Sequence, residues 1–294
     1  MRSPLPRILV TGGTGLLGGA VLARAAGSAG LAATWHANPP SRAAAGVAWH
    51  RVDVRSRTAL EAAFRAAAPA VVLHTAVAIA PDDLAPVIVE GSRHAAAMAR
   101  AAGAAFVHLS SDMVFDGASG PFTESSPLSP ITPYGRAKAE AEHAVREAHP
   151  QAVIARSSLL YRLDPPDRSL AGWLGSLAHG DAYPLFTDEI RCPAQVDDVA
   201  DALLALAARL AAADAAEVPR TVHLVGPRAI SRHEFGRLVL VALGRDPDLA
   251  TAALSAGAQP PRPRELRLLT GVTPAWLVAG LRAPETALAV GGGG

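Results

Sequence analysis

A single cysteine, Cys192, excludes both an internal disulfide and a thiolate metal cluster. A small buried side chain is its expected role. Aromatic residues make up only 4% of the chain while alanine abounds, so helices are expected to pack closely through small side chains. No run approaches the roughly 20 apolar residues needed to cross a bilayer. The opening "MRSPLPRILVTGG" leads into a strand rather than a signal-peptide core, so a cytoplasmic protein without a membrane partner is expected. The formal net charge of +1 gives too weak a field to suggest nucleic acid. The ten histidines show no ligand spacing, and no metal site is expected.

What is present is a rhythm. The runs "RILVT", "LAATWH", "VAWHRVDV", "AVVLHTA", "AFVHLSS" and "AVIARSSLLY" are separated by Ala-rich amphipathic segments. That alternation predicts an α/β fold, a doubly wound parallel sheet of the Rossmann-like kind with helices on both faces. Beyond the proline-rich "RLDPPDRSL" the pattern loosens, although "AGWLGSLAHG", the end of "FTDEIRCPAQVDDVADALLALAARLA" and "AISRHEFGRLVLVALG" read as helical. The expected division is a dinucleotide-binding domain over 1–161 and a smaller C-terminal substrate-binding lobe, interleaved with the sheet, over 162–290. The glycines 291–294 are expected to form a disordered tail.

The segment "RILVTGGTGLLGGAVLARAAG" reads as a strand, a glycine-rich turn and a helix, with Gly12, Gly15 and Gly18 spaced by three. Glycine permits positive φ, lets the backbone approach a pyrophosphate, and lets the helix sit tight on the strand. The free N–H groups of the helix then face the phosphates. Gly12, Thr14, Gly15, Leu16, Leu17 and Gly18 are the candidate cradle. An NAD-binding unit carries an acid about 20 residues further on, yet no Asp or Glu precedes Asp53. His36 and Arg42 stand near that place, so NADPH is the preferred cofactor over NADH, with Arg42 either a partner for the 2′-phosphate or a solvated loop charge. Asp53, followed by Val54, either accepts from the adenine amino group or caps the helix beginning near Ser56.

In "ITPYGRAKAEAEHA", Thr132 reads as an N-cap and Pro133 as the first helical residue, which puts Tyr134 and Lys138 on one face at i and i+4. A phenol titrates near ~10 in isolation, and a neighbouring ammonium is expected to make it a usable acid at neutral pH. Gly135 inside a helix costs roughly 1 kcal/mol relative to alanine, which suggests a close approach there. Ser110 and Ser111 lie at the end of a predicted strand, where doubly wound sheets bind ligands.

Taken in order, "TGGTGLLGG", "HTA", "LSSDMVFDG", "PYGRAK", "ARSSLLY" and "PAQVDDVADAL" resemble the extended short-chain dehydrogenase/reductases, and within them most closely the dTDP-4-dehydrorhamnose reductase branch. The resemblance runs from Arg7 to about Leu269. It implies a catalytic triad of Ser111, Tyr134 and Lys138. It also implies that Lys138 binds the nicotinamide ribose and that Thr75, Ala76 and Val77 pass beside the cofactor. Asp198 is implied to cap a structural helix.

Three departures bear on the substrate. Ile88 replaces the asparagine usual in that branch, the loop "VAIAPDDLAPVIVEG" is short, and Met113 stands where a tyrosine is common. Arg262 or Arg264 in "QPPRPRELRLL" either meets a diphosphate or is solvated. The expected function is therefore an NAD(P)H-dependent carbonyl reductase acting on the 4-keto group of a nucleoside-diphosphate deoxysugar. The alternatives are a reductase of a different small-molecule ketone in specialised metabolism, or a cofactor-binding subunit with little turnover. A homodimer is left open.

Overall fold

The computed structural model describes residues 5–40, 46–181, 183–212 and 215–289. Arg42 and the glycine tail lie outside the described residues.

Six of the short apolar runs become parallel strands: β1 (Ile8–Thr11), β2 (Leu31–Trp35), β3 (Val47–Arg51), β4 (Val71–His74), β5 (Ala105–Ser111) and β6 (Val153–Ser157). A further strand, Thr221–Leu224, arrives from far down the chain and pairs in parallel with β6. The sheet order is Thr221–Leu224, β6, β5, β4, β1, β2, β3. The chain thus winds outward from β1 on one side and restarts with β4 on the other. The switch point between β1 and β4 leaves a crevice at their carboxyl ends, where ligands bind in such sheets.

Side chains alternate across the sheet and fill two layers. Ile8, Val10, Leu73, Val107 and Leu224 face α1 (Leu16–Arg24) and α6 (Val196–Leu210). Leu9, Val72, Phe106 and Ile154 face α2 (Arg57–Ala67), α3 (Gly91–Ala101) and the later part of α4 (Pro133–Ala148). Burying each large apolar side chain contributes about 1.5–3 kcal/mol. A separate cluster, including Tyr161, Trp173, Leu185, Phe235 and Leu240, joins α5 (Arg168–His179) to α7 (Arg232–Ala242).

Several expectations shift in detail. The run "AVIARSSLLY" is not one strand: β6 stops at Ser157, and Leu160–Tyr161 pairs instead with Ala194–Gln195. "VAWHRVDV" ends as a strand at Arg51, because Val52 and Asp53 already turn towards α2. Asp198 does not cap α6. Gln195 does, its side-chain oxygen accepting from the N–H groups of Asp197 and Asp198. The Asp198 carboxylate instead accepts from the Arg282 backbone N–H at 3.1 Å and from its guanidinium at 2.7 Å, tying the C-terminal segment to α6. Ile88 does not face the crevice. It is fully buried in the π-helical segment Leu84–Glu90 and packs with Ala137 and Ala141 of α4. Cys192 is buried and free. Among the described residues no helix is long and apolar enough to cross a membrane.

The start of α4 follows the sequence closely. The Thr132 hydroxyl accepts from the Gly135 N–H at 3.0 Å, and Pro133 occupies the first turn. Gly135 is required by what it faces: a Cβ there would lie 2.1 Å from the carbonyl oxygen of Met113. Replacing Gly135 by alanine is therefore expected to push α4 off the Asp112–Val114 turn and destabilise the protein by roughly 1–3 kcal/mol. Urea denaturation of the variant beside the native protein measures this.

Candidate active site

The glycine turn joins β1 to α1 with little room to spare. Gly12 has φ +72°, and a Cβ there would come within 2.8 Å of the Ala76 backbone. A Cβ on Gly18 would lie 2.3 Å from the Gly12 carbonyl oxygen and 2.9 Å from Thr75 Oγ1. Both contacts are excluded for any side chain, so α1 approaches β1 and β4 as closely as backbone allows. Gly15 is the N-cap of α1 and offers no side chain to cap it, which leaves the first N–H groups facing the crevice. The Thr75 hydroxyl donates to the Thr11 carbonyl at 2.7 Å and fixes the opposite wall.

Two adjoining cavities follow from this arrangement. The first, of about 270 Å³, is lined by Gly12, Thr14, Gly15, His36, Asp53, Val54, Thr75, Ala76 and Val77. The second, of about 530 Å³, is lined by Leu16, Leu17, Gly18, Ser111, Tyr134 and Lys138, and shares Gly15, Thr75 and Val77 with the first. Except for Arg42, which lies outside the described residues, and Arg264, which lines neither cavity, the sequence-predicted site residues line these two adjoining cavities.

In the first cavity the end of β2 contributes Thr34, Trp35 and His36, with no carboxylate among them. Asp53 does not cap α2, since the Ser56 hydroxyl fills that role. Its carboxylate is engaged by Arg55, 2.7 Å away, and stands 3.5 Å from His36 Nε2. The Arg55 guanidinium holds the Asp53 carboxyl below the usual carboxylate range. Arg55 was not anticipated from the sequence, because a charged residue beside an acid reads as an ordinary surface pair.

At the other end, Ser111 ends β5 and Tyr134 and Lys138 rise from the first turns of α4. The Ser111 hydroxyl donates to Asp112 Oδ1 at 3.1 Å and accepts from the Met113 N–H at 3.2 Å. Tyr134 is half-buried, and burial together with the charge of Asp112 pushes its phenol above the ordinary value, against the pull of the Ser111 hydroxyl. The sequence expectation was the reverse, a phenol made acidic by Lys138. The physical reason is where the ammonium goes: Lys138 Nζ donates to the Leu109 carbonyl at 2.9 Å. Burial lowers Lys138 to about 8, partly opposed by Glu142 beneath it.

Beyond Ser111 the cleft continues to Glu189, Arg191, Arg232 and Arg262. Buried Glu189 pairs with Arg191 at 3.0 Å and with Arg262 at 3.0 Å. Arg191, Arg232 and Asp112 carry no local spacing that marks them, and they meet only through folding of the second lobe. Among the described residues no cluster of three or more His, Cys, Asp or Glu is arranged to hold a metal ion.

Lys138 gives the site a stability signature. Between a folded value of about 8 and its ordinary value, the unfolded chain keeps a proton that the folded chain has released. Stability attributable to this group therefore rises with pH across that window. Melting curves of the native protein and Lys138→Met from pH 7 to 10 are expected to show this rise only in the native protein.

A probable low-salt glycan biosynthesis reductase of Haloferax volcanii is 35% identical over 167 residues, covering 55% of this chain and 53% of that protein. A dTDP-4-dehydrorhamnose reductase of Sinorhizobium fredii is 30% identical over 196 residues, 64% of this chain and 66% of its own length. The chain thus spans between half and two thirds of the curated relatives it matches. A dTDP-4-dehydrorhamnose reductase of Bacillus anthracis, solved in complex with NADP, shares the fold with a TM-score of 0.79 at 18% identity, covering 97% of each chain. The match to the family described as the RmlD substrate binding domain extends from Pro6 to Ala279, through sheet, cleft and second lobe alike, and the chain belongs to that family.

Proposed function

We propose that the protein is an NAD(P)H-dependent carbonyl reductase that acts on the 4-keto group of a nucleotide-activated deoxysugar. The observation that carries this reading is the convergence of Ser111, Tyr134 and Lys138 on the cleft that the glycine turn also lines. The tight glycine cradle and uncapped α1 fit a dinucleotide diphosphate. When bound, the nicotinamide supplies a hydride to the carbonyl carbon.

The protein's own groups supply the proton and the geometry. At neutral pH Tyr134 carries its proton, as an ordinary phenol does, and can give it to the carbonyl oxygen; burial makes it a weaker acid, so the phenolate left behind needs a neighbouring cation. Ser111 holds that oxygen beside the phenol. With one N–H of Lys138 on Leu109, two donors remain for ribose hydroxyls, and its charge offsets the phenolate left after transfer. Three guanidiniums, at Arg191, Arg232 and Arg262, against the carboxylates of Glu189 and Asp112 leave the far end of the cleft net cationic and suit a diphosphate. The named relatives support the same substrate class: two are called dTDP-4-dehydrorhamnose reductase and the third a reductase of glycan biosynthesis.

A second reading follows from the apolar wall of Leu16, Val77, Ile79, Met113 and Leu160, which would also receive a ketone without a nucleotide. Following NADPH oxidation with dTDP-4-dehydrorhamnose against a panel of simple ketones separates the two. The sugar nucleotide is expected to turn over, and Tyr134→Phe is expected to lower kcat by about 10²–10⁴-fold. An unimpaired phenylalanine variant, or tight NADPH binding without oxidation by any ketone, overturns the reductase reading.

The end of β2 presents His36 rather than an acid, which would repel a 2′-phosphate. NADPH is therefore expected to show a KM about tenfold below that of NADH, and His36→Asp to reverse the preference. Initial rates with both cofactors measure it.

A further inference from the structure

Asp112 is a carboxylate only 3% exposed, beside the reacting groups, and burial pushes its carboxyl up against the pull of Arg191 and two serines. Such a group is costly to bury unless its oxygens are well satisfied. Its Oδ1 accepts from the Ser111 hydroxyl at 3.1 Å, and its Oδ2 accepts from the Ser158 hydroxyl at 2.6 Å. Arg191 Nε stands 3.8 Å from Oδ2. Ser158 in turn accepts from the Cys192 N–H at 3.1 Å.

These contacts run in one direction. The Cys192 N–H donates to Ser158, Ser158 donates to Asp112, and Ser111 donates to the same carboxylate. A serine by itself samples the staggered χ1 rotamers, and its hydroxyl hydrogen turns about the Cβ–Oγ bond. Here the Met113 N–H donates to Ser111 Oγ and Ser111 donates to Asp112, so the position of Oγ is set, with its hydrogen resting on Asp112 until a substrate oxygen offers another acceptor. Part of that setting comes from the segment around Arg191 and Cys192, which enters the site from the second lobe.

We infer that Asp112 is a positioning residue: held by Ser158 and through it by the Arg191–Cys192 segment, it fixes Ser111 Oγ, whose hydrogen turns from Asp112 to the substrate oxygen when substrate enters. The inference rests on the reductase reading, in which Ser111 holds that oxygen. A neutral asparagine is of the same size but must offer an N–H to one of two serines that each donate, so it cannot reproduce the arrangement.

The test is a double-mutant cycle on NADPH oxidation with dTDP-4-dehydrorhamnose. Turnover by the native protein establishes the reductase reading independently of Asp112. Asp112→Asn is expected to lower kcat about tenfold or more while KM changes little. Ser158→Ala is expected to lower it by a smaller factor. In a Ser111→Ala background each of these losses is expected to vanish, because nothing remains to be positioned. A native kcat in Asp112→Asn, a loss confined to KM, or losses that multiply with Ser111→Ala overturn the inference. A crystal structure of Asp112→Asn gives a readout that needs no turnover. Ser111 is expected in more than one rotamer, and a single unchanged rotamer overturns the inference. If Asp112→Asn does not fold, the Ser158→Ala cycle and the Ser111 rotamer in that variant decide on the same criteria.

Discussion

The amino end of α4 rests on the Asp112–Val114 turn at a distance that only a glycine hydrogen permits, with Met113 oxygen where a methyl at Gly135 would be. The rest of the site depends on that contact. The same turn follows Ser111 directly, so the helix and the strand end are locked in register, and Tyr134, one residue before Gly135, is set against Ser111. The Thr132 cap and Pro133 fix where the helix begins, so its first turn cannot slide along the turn it touches.

Beneath Ser111, Tyr134 and Lys138 lies a layer of buried charge. Glu142, four residues after Lys138, accepts from Ser110 at 2.6 Å and from both Nε and a terminal nitrogen of Arg156 at 2.9 and 2.8 Å. Those bonds hold its carboxyl below the usual range despite burial. Arg156 belongs to β6 and Ser110 to β5, so the pair binds α4 to two neighbouring strands. Replacing one partner alone would strand a charge in the core, which typically costs about 3–5 kcal/mol. Lys138 sits between this layer and the cleft, and its lowered value reflects a position more buried than paired.

What the sequence made legible was local. The strand, glycine turn and helix of residues 8–24, the Thr132–Pro133 start of α4 and the i, i+4 relation of Tyr134 and Lys138 are all written in spacing of a few residues. What stayed hidden was long-range. That Thr221–Leu224 completes the sheet beside β6 is a pairing between segments some seventy residues apart, and no periodicity announces it. The spacing of Tyr134 and Lys138 predicts a lowered phenol, but the Leu109 carbonyl that accepts a hydrogen bond from Lys138 becomes a neighbour only when β5 and α4 pack together. Likewise the sequence leaves Asp53 as a cofactor contact or a cap; Ser56 does the capping, and Asp53 lines the first cavity beside Arg55. Asp112 follows Ser111 in plain view, yet its meaning depends on Ser158 and Cys192 from other parts of the fold.

The path of the chain between its two bodies has a mechanical consequence. It leaves the sheet after β6, returns at Ala194–Gln195 to build α6 against α1, and re-enters the sheet at Thr221–Leu224. It leaves again towards α7 and comes back once more at Leu277, which packs with the α1–α6 layer. A jaw joined by one flexible connection can swing, but a jaw sewn to its base by several crossings can only slide by small amounts without tearing its stitching. Wide rotation of one half against the other would have to break these crossings, whereas the exposed Ile79 and Tyr183 at the mouth can move without doing so.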